Sequence, residues 1–166
     1  MGCMKRALLL CIVAFACGSA AGAQTPGGMQ AMQYFVGTWE CSGGPVGVSP
    51  FNMTVTFDKI DSGIMRERDT VHIPGQTSPY TASKSVTYDA KNDRWVQTQL
   101  DDQGAWTVSY LKPWTGDTEE WVDQATSEGK PGRSETVRTN ATSFAFYGYA
   151  NPADTKPDFA GKCTRT

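Results

Sequence analysis

Short runs in which apolar and polar residues alternate, divided by turn residues, fill the chain from residue 36 onward. The clearest is Phe51, Met53, Val55 and Phe57 interleaved with Asn52, Thr54 and Thr56. Successive side chains of an extended segment point to opposite faces, so this pattern predicts a strand with one apolar face. Comparable runs cover 36–42, 64–73, 80–88, 94–100, 105–112, 119–125, 134–139, 143–149 and 159–165. Between them lie turn-forming stretches such as Asp61-Ser62-Gly63, Pro74-Gly75, Asp89 to Asp93 and Asp101-Asp102-Gln103-Gly104. A helical period survives only at Met29, Met32 and Phe35, which predicts a turn or two of helix over 29–35 plugging one end of the sheet. Strands joined by short links predict an all-β, antiparallel up-and-down sheet of about ten strands. Closing such a sheet into a barrel removes its exposed edges. The interior of a barrel of eight to ten strands is filled by side chains or holds one small ligand.

The first and last runs supply a seam. Gly37-Thr38-Trp39-Glu40-Cys41 opens the sheet and Cys163-Thr164-Arg165 ends it. In an antiparallel ladder the numbers of facing residues add to a constant, and Cys41 with Cys163 gives the same total as Trp39 with Arg165. Residues two apart share a face, so one register carries both a disulfide and an indole–guanidinium stack on the same side.

Cysteine usage bears on compartment. Lys5 and Arg6, an apolar stretch from Ala7 to Cys17 and the small-x-small triplet Ala21-Gly22-Ala23 read as an export signal over 1–23. The domain then spans 24–166, and its location is periplasmic or secreted. A lipoprotein with Cys17 as the lipidated residue is the alternative, although Ala14-Phe15-Ala16 is a poor lipobox. The apolar stretch is shorter than the roughly twenty residues of a membrane span, so no transmembrane segment is expected. Cys3, Cys11 and Cys17 fall in the leader, leaving Cys41 and Cys163 to pair in an oxidising compartment or to stay as two free thiols. The 15 Lys and Arg against 17 Asp and Glu form no basic cluster, which argues against nucleic acid and anionic membranes as partners. The expected state is a monomer or a weak dimer.

Phe35-Val36-Gly37-Thr38-Trp39, with Arg165 on the last strand, resembles the closure signature of the calycins. In lipocalins and their relatives a Gly-x-Trp on the first strand packs beneath an arginine from the last, and Gly37, Trp39 and Arg165 fit that pattern. Val86-Thr87-Tyr88-Asp89 followed by Asp93-Arg94-Trp95 is similar to a bacterial group of exported or cytosolic barrels catalogued as domain-of-unknown-function 1579. The resemblance covers essentially all of 24–166 and implies a lipocalin-like barrel; it implies no activity. A neighbouring group, the nitrobindin-like haem barrels, also opens with Gly-Thr-Trp and uses a histidine as the proximal iron ligand. The chain has only His72, which does not stand where that ligand is expected.

Candidate chemistry is sparse. His72 is the single histidine available to a Ser/His/Asp set and no Gly-x-Ser-x-Gly elbow exists. One histidine and two disulfide-bound cysteines cannot make a zinc site, and no phosphate-binding glycine loop is present. Glu119 and Glu120 are adjacent and point to opposite faces. Glu67 and Asp69 alternate with Arg66 and Arg68 and read as a charged ladder. No enzyme activity, metal or cofactor is expected. The aromatics of the second half either fill the barrel or line a cavity for a small, partly apolar ligand. The candidate ligand-binding residues are Trp95, Trp106, Tyr110, Trp121, Phe144 and Phe146, with Arg66, Arg68 and Arg138 as possible contacts for an anionic group. The alternative readings are a haem barrel using His72 and a structural or interaction domain with a filled interior.

Overall fold

The computed structural model describes residues 32–58 and 63–166. The export signal read over 1–23 lies outside them, as does the start of the helical turn read over 29–35. From Met32 the chain makes a tight turn in which Phe35 N donates to Met32 O and Val36 N to Gln33 O. A longer helix is not confirmed. No helix among the described residues is long and apolar enough to cross a membrane.

Ten antiparallel strands follow: β1 (Gly37–Pro45), β2 (Phe51–Phe57), β3 (Ile64–His72), β4 (Tyr80–Asp89), β5 (Arg94–Asp101), β6 (Trp106–Leu111), β7 (Thr118–Thr126), β8 (Arg133–Asn140), β9 (Ser143–Tyr149) and β10 (Phe159–Arg165). Each pairs with its neighbours in sequence, and β10 returns to β1 to close the barrel. The alternation of the sequence becomes an inside and an outside. Met53, Val55 and Phe57 of β2 face inward and are buried, while Asn52 on the same strand is exposed.

The seam has the register expected of it, with Trp39 opposite Arg165 and Cys41 opposite Cys163. Cys41 and Cys163 are disulfide-bonded, closing a loop of 122 residues. Trp39 is fully buried, and its Nε1 donates to the Phe35 carbonyl at 2.7 Å. The Arg165 guanidinium lies 4.4 Å from the Trp39 ring centre. It also donates to the carbonyls of Val36, at 2.8 Å, and Tyr34. Tyr34 in turn donates to the Ser143 carbonyl at 2.7 Å. The last strand therefore ties the segment before β1 across one end of the barrel. Met32 and Phe35 are pressed inward there as a floor, almost completely buried. Gly37 turns the chain from this floor into β1 at φ +128, a conformation that side chains other than hydrogen rarely adopt.

A second glycine shapes the wall. Gly161 on β10 faces Gly43 on β1, and a Cβ on Gly161 would come within 2.2 Å of Phe146 Cζ. The Phe146 ring rests against this bare stretch of backbone and stacks on Phe159 with centroids 5.9 Å apart.

The seam can be tested by mass and by unfolding. The native protein is expected to be about two mass units lighter before reduction than after it. Replacing both Cys41 and Cys163 by Ala is expected to cost about 2–4 kcal/mol in urea unfolding. Arg165→Met removes the stack on Trp39 and leaves two carbonyls without their donors, with an expected loss of about 2–3 kcal/mol. Arg165→Lys is expected to recover only a minor part of it, because an ammonium lacks the planar fork that reaches both carbonyls.

Candidate functional site

The barrel encloses a cavity of about 480 Å³ that reaches from the Met32–Phe35 floor to the upper strand ends at Gly148 and Phe159. One side of its lining, from β9 and β2, is apolar, with Val55, Phe57, Phe144 and Phe146 among its residues, while Met65, Val86 and Trp121 lie on strands of the other side. The other carries Glu67, Asp69, Lys84, Gln97, Gln99, Glu119 and Thr136.

Strand parity explains this polar stripe. On β3 the apolar residues Met65 and Val71 occupy the inward positions, so Glu67 and Asp69 between them are carried inward as well. Glu67 faces Phe57 of β2 on one side and Lys84 of β4 on the other. Lys84 faces Gln99 of β5. Lys84 Nζ lies 2.5 Å from Glu67 Oε1 and 3.1 Å from Asp69 Oδ2, so one ammonium holds two carboxylates. Burial and the neighbouring Asp69 lift the Glu67 carboxyl to about 8 against the pull of Lys84. Lys84 stays charged, since the two carboxylates more than offset the burial that opposes its charge.

Glu119 enters from β7, opposite Thr136 of β8. It is 7% exposed, and its Oε2 finds no hydrogen-bond partner among the described residues. Burial pushes its carboxyl up to about 7, and the opposing influence of Trp121, Thr136, Arg138 and Lys84 is smaller. Asp69 Oδ1 likewise has no partner. By contrast, Asp123 is satisfied: Ser109 donates to Oδ1 at 2.7 Å and Gly132 N to Oδ2 at 2.9 Å. The first bond bridges β6 and β7 where their register shifts beside Ser109, and the second ties β7 to the residue before β8.

The candidate residues read from the sequence separate into groups. Trp121, Phe144 and Phe146 line the cavity together. Trp95 is buried in the barrel core and packs against Tyr88, with ring centroids 5.3 Å apart, without lining the cavity. Trp106 and Tyr110 share a face, as their spacing predicts, but it is the outer one, because Ser109 and Leu111 take the inward positions of β6. Trp106 is 44% exposed, and Tyr110 is covered by the Arg94 guanidinium at 3.6 Å. Arg66 and Arg68 also point outward; Arg68 pairs with Asp58 across the surface at 2.8 Å. Arg138 sits near the floor, its guanidinium 5.4 Å from the Tyr34 ring and 4.8 Å from the Trp114 ring. The charged set within the cavity is thus mainly acidic, and Arg66 and Arg68, considered as contacts for an anionic group, lie outside it. Its signal was present in the alternation of β3, where Met65 and Val71 share the parity of Glu67 and Asp69. His72 has the outward parity of β3 and is exposed opposite Asn52, so the chain's one histidine does not face the cavity and the haem reading lacks its iron ligand.

No protein-family model matches the chain, and no curated protein matches it. Among solved structures it is similar to Rv2717c from M. tuberculosis, at 12% identity over 84% of this chain and 98% of that one, with a TM-score of 0.61. That likeness shows a shared β-barrel fold. It is also similar to a de novo designed fluorescence-activating β-barrel, at 16% identity over 82% of this chain and 97% of that one. The TM-score there is 0.44, and this weaker likeness supports nothing below.

The buried carboxyl of Glu119 makes stability depend on pH. Its folded value near 7 stands above the ordinary 4.5, so between these values the folded protein holds a proton that the unfolded chain has released. The associated stabilisation is complete below the unfolded value and is lost as pH rises through the folded one. Urea unfolding should therefore show stability falling between about pH 5 and pH 8, with about 3 kcal/mol of the fall belonging to Glu119. Glu119→Gln should flatten the slope by that amount and leave only the share of Glu67.

Proposed function

We propose that this protein is an exported, calycin-type barrel of the domain-of-unknown-function 1579 kind that binds a small, partly apolar molecule in its interior and catalyses no reaction. The observation that carries this reading is the cavity: about 480 Å³, bounded below by Met32 and Phe35 and lined by an apolar wall facing a polar stripe. That volume lies within the range of small-molecule sites, and the mix of a broad apolar lining with a few polar groups is typical of them. A barrel whose only task was structural would fill this space with side chains, as interiors are normally close-packed. The glycine pair Gly43 and Gly161 instead removes side-chain bulk from the wall beside Phe146.

Export is supported by the Cys41–Cys163 disulfide, since such bonds persist in oxidising compartments. The binding role is favoured over catalysis because Lys84 is engaged by two carboxylates and the one histidine stands outside the cavity.

The test is titration with a neutral, polarity-sensitive dye such as phenylnaphthylamine. Saturable enhancement of dye emission, accompanied by quenching of Trp121 and lost on Phe146→Asp, is the expected result. A protein that takes up no apolar probe, and that carries no small molecule in native mass spectrometry after purification from its source, would overturn the reading.

A further inference from the structure

Of the ionisable residues along the cavity, Glu135 is engaged by Arg133 and Tyr149, and four others stand in the polar stripe: Glu67 and Asp69 of β3, Lys84 of β4 and Glu119 of β7. Three are acids and one is a base. The base is already committed, with its ammonium against Glu67 at 2.5 Å and Asp69 at 3.1 Å. Two acceptors are left over, Glu119 Oε2 and Asp69 Oδ1, and neither has a partner among the described residues. Glu119 is more than nine-tenths buried. It stands four strands around the closed sheet from Asp69. A buried acceptor without a donor is costly, and the cost is removed by a donor arriving with a ligand. A positively charged donor does so best, because charge-assisted hydrogen bonds are the stronger kind.

From this geometry we infer that the molecule held in the barrel carries an amine or amidine on an apolar body, with its cationic nitrogen directed to Glu119 and towards Asp69. The inference rests on the cavity-binding reading above and names the ligand class that reading leaves open. The apolar body lies against Val55, Phe144 and Phe146, and the nitrogen reaches the polar stripe. Anionic ligands are disfavoured, since Lys84 has no free carboxylate-binding role and the acids around it repel a further negative charge. Glu119 is faced by Thr136 and Arg138 from β8 and by Lys84 from β4, with Trp121 on its own strand. A carboxyl held near 7 among these groups is poised to give up its proton to solvent as an ammonium docks.

The experiment is isothermal titration calorimetry of the intact protein at about pH 8 with a matched series: naphthylmethylamine, naphthylmethanol and naphthylacetate. The amine should bind at least about tenfold tighter than the alcohol, and the carboxylate weakest. Glu119→Gln keeps the size of the side chain and removes its charge. It should erase most of the amine's advantage while the alcohol's affinity stays within about twofold. Asp69→Asn serves as an independent second variant, and thermal unfolding of each confirms that it is folded. An alcohol that binds as tightly as the amine overturns the inference and leaves the cavity reading standing. So does an amine preference that survives in both folded variants, or a preference for the carboxylate. Saturable binding by none of the probes sinks the inference together with the reading on which it rests.

Discussion

Every strand in this molecule depends on the pairing of the first with the last. A sheet of ten strands left open would present two rows of unpaired backbone groups to water and to other chains. The β1–β10 ladder removes both rows at once. The same register sets Trp39 under Arg165 and joins Cys41 to Cys163 on the inner face. Because Arg165 also holds the carbonyls of Tyr34 and Val36, closure of the wall and closure of the floor are one event. The cavity exists because this seam holds a cylinder around it.

A cylinder of this size would collapse onto its own side chains if all of them were large and apolar. Two devices prevent it. Opposed glycines, Gly43 and Gly161, let Phe146 lie flat against the wall instead of projecting into the space. A charged stripe resists dehydration on the other side. Burying a carboxylate is expensive unless it is paired, and Lys84 compensates two of them while Glu119 is left with an unanswered oxygen. Mutual support among Glu67, Asp69 and Lys84 makes that part of the wall self-consistent. Glu119 has no such support at its Oε2 among the described residues.

The outer surface carries its own order, and it is easily mistaken for a binding wall. Leu100 faces Trp106, and Val96 faces Tyr110, across the outside of β5 and β6. Guanidinium groups cover the outward tyrosines, Arg94 over Tyr110 and Arg133 over Tyr149. Arginine on an aromatic face is stabilising at a wet surface, so these clusters shield the outer face of the barrel. They have the composition of a recognition site with the opposite orientation.

Local pattern and chain ends were enough for much of the architecture. Period-two runs marked the ten strands, turn residues marked their links, and two coincident pairings marked the seam, because each is a property of residues close in sequence or of a single ladder. Inside and outside could be read wherever one parity was apolar, as on β2. It failed where both parities were polar or both carried aromatics. On β3, Arg66 and Arg68 alternate with Glu67 and Asp69, and the one local sign of which set is enclosed is the parity of Met65 and Val71, which the pairing with Phe57 and Lys84 bears out. On β6, the burial of Ser109 and Leu111 turned Trp106 and Tyr110 outward. The charge of the cavity is decided at that level: side-chain parity is a local fact, but which parity faces the axis is a property of the closed sheet, and no single strand contains it.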